Sequence, residues 1–362
     1  MATAALPALL ASLGASSAAL GLIEGLSDGL SSFAKLYSGL ALDRLERRKP
    51  LAVAGYFLTA AGMASFAFAT RWWHVLLGRV VGWMARGART PVRGVLMTEA
   101  TTPQTYGRAF GLERAMDSAG AVLGPLLAIF LAARVGLRVT FLLTFIPGIL
   151  AALSIWFFVK EKPRAPSEHS RSLWAGVAAL PAQYRRYLSG VALAGCGDFS
   201  KTLLILWAAQ AWSARYGLLP AARLAMLFYA LYNAVYTVSC WLSGVLADRF
   251  DKNRVLAGGY ALAVLPAAAL LVPGDSLTKF AAVFGFSGLY MGVWETVESA
   301  TAATMLPADC RGAGFGALAA VNGVGDMVSS ALVGTLWLFS PAAAMAFVIA
   351  ASLSGAAVIA AL

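Results

Sequence analysis

Ser38 to Pro50 reads SGLALDRLERRKP, a short basic loop that closes one apolar segment and opens the next. The pattern returns at Ser243 to Arg254 as SGVLADRFDKNR. Gly39, Asp43 and Arg44 are answered by Gly244, Asp248 and Arg249, each 205 positions further on. The same offset joins TPQTYGRAFG (Thr102 to Gly111) to LPADCRGAGFG (Leu306 to Gly316), where Phe110-Gly111 answers Phe315-Gly316. A repeat this long makes the chain two copies of one structural unit.

The composition says what surrounds those units. Of 362 residues, 60% are hydrophobic and only 12% are charged, and the mean hydropathy is +0.74. So few charges cannot cover a soluble domain, whereas a multispanning helical protein needs no more. A crossing helix takes about 20 apolar residues, so this length leaves room for about eleven spans. The net charge of +11 suits basic loops on one side of a bilayer, and no soluble segment is long enough for a nucleic-acid domain. Cys196, Cys240 and Cys310 are scattered and His74 and His169 are isolated, so neither a disulfide framework nor a metal site is implied. No phosphate-cradling loop, metalloprotease helix or nucleophile elbow stands in a usable context, which argues against a membrane enzyme or an ATP-driven pump.

The paired Gly-x-x-x-Asp-Arg loops resemble the signature loop of the major facilitator superfamily of secondary transporters. There the loop joins helices 2 and 3, and a weaker copy joins helices 8 and 9. The resemblance implies an all-α polytopic membrane protein of two pseudo-symmetric six-helix bundles. By that pattern residues 1–159 form the N-terminal bundle, 160–186 a cytoplasmic linker, and 187–362 the C-terminal bundle. Ala2 to Gly14 is apolar but too short to span, and it resembles the last third of helix 1. The expectation is that its start is lost, through a start codon assigned too far downstream or a truncated gene. Expected helices 2 to 6 are Ser17–Leu42, Leu51–Thr70, Trp72–Met97, Leu112–Ala132 and Thr140–Val159. Helices 7 to 12 are expected at Tyr187–Ala208, Ala225–Ala247, Val255–Val272, Phe280–Met305, Gly314–Leu338 and Ala342–Leu362.

Positive residues set the orientation. The loops after helices 2, 4, 6, 8 and 10 carry 15 basic residues, the opposite loops 6. The first set is therefore expected in the cytoplasm, with the C-terminus inside.

Several residues are candidates for function. In the family the loop of Gly39, Asp43, Arg44 and Arg47 latches the cytoplasmic side in the outward-open state, and Gly244, Asp248 and Arg249 are its second copy. Glycine lets helix ends approach, and Asp43 can accept hydrogen bonds from an arginine or a facing helix N-terminus. Glu46 stands where the family often has glycine. Gly120-x-x-x-Gly124-Pro125 resembles the Gly-Pro motif of antiporters, and ordinary small-residue packing explains it equally.

Charge at membrane depth costs about 2.5–3.5 kcal/mol per residue, so such residues are candidates by default. Arg79, Arg86 and Arg93 form one stripe of helix 4, with Arg89 beside it, and Arg79 matches an arginine the family carries there. For Arg89 and Arg93 the alternative is snorkelling to the interface. Glu24 and Asp28 share a face, as do Glu113 and Asp117, and Asp198 and Lys201 are three apart and able to pair. Glu24, Glu113 and Glu298 lie near helix ends, whereas Asp28, Asp198, Glu295 and Asp326 are deeper. For the deeper set, a structural ion pair and substrate or proton handling both remain open. At the 205-residue offset Arg93 aligns with Glu298, so one half presents Arg86 and Arg89 where the other presents Glu295 and Glu298, which suggests pairing between halves. Pairing inside one half, as of Arg86 or Arg89 with Asp117, is the alternative.

The reading is alternating-access transport of a small solute by a monomer without cofactors, driven by protons, with antiport and efflux first. A solute-uptake symporter is the second possibility. A truncated relative acting as a membrane receptor or assembly partner is the third.

Overall fold

The computed structural model describes residues 6, 9, 10, 12–14, 17–161, 180–198 and 201–362, and among them all regular structure is helical. Most of the expected helix 1 remnant and residues 162–179 of the expected linker lie outside the described residues. The elements are α1 (Ser17–Leu42), α2 (Lys49–Ala64), α3 (Trp72–Ala100), α4 (Tyr106–Val135), α5 (Leu137–Leu143), α6 (Phe145–Phe158) and α7 (Ala182–Gly195). They continue as α8 (Lys201–Tyr216), α9 (Leu218–Arg249), α10 (Lys252–Ala261), α11 (Val264–Leu271), α12 (Leu277–Met305), α13 (Arg311–Phe339) and α14 (Pro341–Ala360). Among the described residues, eight helical segments are long and apolar enough to cross a membrane.

The chain divides into two compact units. The first comprises residues 1–100, 120–180 and 306–320. In it α3 packs on α1 and α2, and α2 on α6. Leu6, Leu9 and Leu10 are buried with Ile23, Phe66, Val75 and Phe141, so these apolar residues ahead of α1 contribute to the unit's core. The second unit comprises residues 101–119, 181–305 and 321–362. In it α12 packs on α9, α10 and α11, and α14 on α7, α10 and α11. The start of α4 therefore belongs with the second unit, and the start of α13 with the first.

Three expected helices are interrupted, each where the chemistry weakens the hydrogen-bond ladder. Helix 7 is α7 and α8, parted after Gly195 in the run Gly195-Cys196-Gly197, and residues 199 and 200 lie outside the described residues. Two glycines there cost about 1 kcal/mol each against alanine in a helix. Helix 6 is α5 and α6, parted at Thr144, and helix 9 is α10 and α11, parted at Leu262 and Ala263. Pro147 and Pro266 follow closely; proline supplies no N–H and crowds the carbonyl four residues back, which is Leu143 and Leu262 respectively. The expected helix 3 begins earlier, at Lys49, because Pro50 suits a first helical turn, and it ends in a 3-10 turn at Ser65–Phe68. Pro91 and Pro125 lie inside α3 and α4, which continue through them.

Candidate functional site

In the first unit Asp43 is buried at the end of α1, and its carboxylate caps the start of α13. Oδ1 accepts from the Gly312 amide at 2.8 Å and Oδ2 from the Ala313 amide at 2.7 Å. First-turn amides have no intrahelical acceptor and carry the positive end of the helix dipole, so a carboxylate fits there. Gly39 permits the approach: a Cβ on it would lie 2.5 Å from Gly312 O and 2.6 Å from Gly316 Cα. In the second unit Asp248 does the same for α4. It accepts from the Gly107 amide at 2.7 Å, the Arg108 amide at 3.0 Å and Arg108 Nε at 3.0 Å. A Cβ on Gly244 would strike the Gly107 carbonyl. Each aspartate and each amide it holds is matched at the 205-residue offset.

Other loop residues act through different contacts. Arg44 and Arg47 follow Asp43 in its loop, and Arg249 follows Asp248. Arg48, which sequence reasoning counted only as a basic loop residue, is buried. Its Nη1 lies 2.6 Å from Glu99 Oε1 and its Nε donates to Leu42 O at 3.3 Å. Glu161 accepts from the Arg48 and Lys49 amides and so caps α2.

The first unit also holds a charged group on α1 and α3. Arg79 is 3% exposed, its Nη2 is 3.6 Å from Glu24 Oε1, and its guanidinium lies 4.2 Å over the Trp83 ring. Trp83 Nε1 donates to Asp28 Oδ1 at 2.6 Å, and Arg86 approaches the same ring at 5.6 Å. Arg89 lies 3.6 Å over Tyr56, a cation–π contact. A methyl on Gly120 would meet no atom within 4 Å, so close helix contact does not explain that glycine.

The second unit gathers the carboxylates of α12. Glu295 Oε2 accepts from Tyr236 at 2.6 Å and lies 3.4 Å from Arg114 Nη1, which is next to Glu113. Arg114 escaped the sequence reading, although its position between Glu113 and Asp117 on α4 marked it as charged at depth. The Asp117 and Asp326 side chains are exposed. Glu298 is buried and accepts from Tyr260 at 2.9 Å, Trp294 Nε1 at 2.6 Å and Asn322 Nδ2 at 2.5 Å. Only Trp294, one helical turn before Glu298, was legible as its partner from spacing.

At the interruption between α7 and α8, Asp198 Oδ1 accepts from Tyr290 at 2.8 Å, and the Asp198 carbonyl accepts from Ser329. Asp198, Lys201, Leu204, Tyr232, Ser287 and Tyr290 line one cavity of about 10 Å³, room for about one water. A carboxylate, an ammonium, two phenols and a hydroxyl thus converge where the helix breaks. The set can bind a polar solute once the space widens, or pass a proton between its oxygens.

Residues 1–330 match the family model of the Major Facilitator Superfamily. An uncharacterized MFS-type transporter of Methanocaldococcus jannaschii is 27% identical over 345 residues, covering 93% of this chain and 84% of that protein. The multidrug resistance protein MdtH of Cronobacter sakazakii is 37% identical over 113 residues, 31% of this chain and 27% of that protein. The crystal structure of a bacterial homologue of iron transporter ferroportin in outward-facing state aligns with a TM-score of 0.79 at 16% identity, covering 99% of this chain and 95% of that one. At that identity the likeness shows the fold.

Proposed function

We propose that this chain, which belongs to the Major Facilitator Superfamily, carries a small polar solute across the membrane by alternating access, in exchange for protons. It is a multi-pass integral membrane protein. The observation that carries the reading is the cavity where Asp198 and Lys201 meet Tyr290 at the interruption of a helix. Secondary transporters build their sites on discontinuous helices near the midplane, because freed backbone groups and helix ends can then face the solute. Export is supported by the partial match to a multidrug resistance protein and by Gly124-Pro125 on α4. The two halves are residues 1–159 and 187–362, joined by a cytoplasmic linker, and the protein works as a monomer in the cell membrane with its C-terminus inside.

Proteoliposomes loaded with a pH-sensitive dye test this. Cationic, anionic and zwitterionic solutes are added in turn under an imposed pH gradient. A solute that drives protons the opposite way supports antiport, and one that drags them along supports uptake by symport. Lys201→Met and Asp198→Asn should each remove most of the flux from protein that remains monodisperse. Full flux in both variants would reject the cavity as the site.

A further inference from the structure

Glu298 is 3% exposed in the second unit, yet the groups on its carboxylate are neutral: the Tyr260 hydroxyl, the Trp294 indole N–H and the Asn322 amide. All three donate, so the cage is set for an ionised carboxylate. The Asn322 amide is only half used, since its Oδ1 is buried and has no hydrogen-bond partner among the described residues. A buried acceptor left empty beside a carboxylate has one obvious complement, the O–H that the carboxylate gains on protonation.

We propose that Glu298 and Asn322 form a carboxyl–carboxamide proton switch between α12 and α13. This rests on the reading of the protein as proton-coupled and names the residue that takes the proton. With Glu298 ionised, Asn322 Nδ2 donates to Oε1. A proton from a solvent hydronium ion adds at Oε1 and leaves water, the amide turns over about its Cβ–Cγ bond, and the new O–H donates to Oδ1. One amide atom lacks a partner in either state, so the pair accommodates both forms with the same number of hydrogen bonds. What changes is the bond between the helices, from charge-assisted to neutral.

The surroundings keep the switch local. On α7, Tyr187 donates to the Glu298 carbonyl at 2.8 Å and stacks on Tyr184. On α10 the facing group is Tyr260, and on α12 the neighbours are Trp294 and Glu295. Tyr236 of α9 and Arg114 of α4 are both engaged with Glu295, while Cys240 of α9 is a buried thiol. Helices α11 and α14 contain no titratable residue. Asn322 also lies on the helix whose first turn Asp43 caps, nine residues after Ala313.

Infrared difference spectroscopy of the purified full chain in lipid, titrated over about pH 5 to 9, tests the proposal. Wild type should show a carboxylic-acid C=O band rising as the pH falls, and Glu298→Gln should remove it. Isotopically labelled asparagine should reveal a side-chain amide band moving in the same titration; the chain has three asparagines, Asn233, Asn253 and Asn322. In Asn322→Leu that amide shift should vanish, and the acid band should move to higher wavenumber because its O–H has lost an acceptor. The labelling arm needs no substitution, so it stands even if Asn322→Leu fails to fold. No band lost in Glu298→Gln, or an amide band that stays still in wild type, would overturn the switch. Proton flux in the same proteoliposomes separates the two readings. Moving bands without coupled transport uphold the switch and refute antiport; coupled transport without the bands refutes the switch alone.

Discussion

Asp43→Asn isolates the charge that holds the start of α13. The wild-type carboxylate accepts two amides, Gly312 at 2.8 Å and Ala313 at 2.7 Å, and Asp43 is 4% exposed. Asparagine keeps one acceptor oxygen but turns an NH2 group towards the other amide. One charge-assisted hydrogen bond is lost, about 1.5–3 kcal/mol. The attraction of a full negative charge to the helix N-terminus is lost too, about 0.3–1 kcal/mol. The capped arrangement should therefore weaken by about 2–4 kcal/mol, which is about 30- to 1,000-fold in population at 1.4 kcal/mol per decade. The protein should still fold, because the change removes one hydrogen bond and a charge rather than emptying a core. Hydrogen–deuterium exchange reads this directly. Gly312 and Ala313 lie in the first turn of α13, where intrahelical acceptors are missing, so Asp43 supplies their protection. A peptide covering Arg311 to Ala313 should exchange faster in Asp43→Asn by a factor in that range, while peptides from α9 and α12 hold their rates. Unchanged exchange at Gly312 and Ala313 in well-folded Asp43→Asn protein would refute the assignment of the latch.

Two further outcomes are expected. Arg114→Ala and Glu295→Ala should be non-additive in thermal stability, with a coupling of about 0.5–3 kcal/mol, whereas Arg89→Ala with Glu295→Ala should be additive, since Arg89 stacks on Tyr56; a coupling confined to the Arg89 pair would restore the charge pairing inferred from the 205-residue offset. A cysteine at Asn253, at the start of α10, should resist an impermeant thiol reagent in intact cells and label after permeabilisation, as the excess of basic residues in its set of loops predicts; ready labelling from outside would reverse the expected topology.

Helix content was legible in the sequence because it is a sum over local windows, whereas the roughly eleven expected spans compare with eight long apolar helical segments among the described residues. An apolar run of sufficient length commits to a helix wherever lipid surrounds it, since an unsatisfied backbone group there costs several kcal/mol. The 205-residue offset placed Asp43 and Asp248 in equivalent loops with no three-dimensional information. Interruptions at Thr144 and at Gly195 lay within apolar runs that satisfy the same windows, and were missed for that reason, although Pro147 and the paired glycines were visible signals.

Only the tertiary structure decided which donor each carboxylate meets. Asp43 finds its amides 269 and 270 residues away, and backbone N–H groups carry no sequence signature. Glu298 is surrounded by Tyr260, Trp294 and Asn322, neutral side chains that no search for opposite charges selects. Arg114 reaches Glu295 because α4 starts in the same compact unit as α12. Charge and apolar content are properties of residues and add along the chain. Hydrogen bonds act only over about 3 Å, so their partners are fixed by how helices cross, which no local stretch of residues encodes.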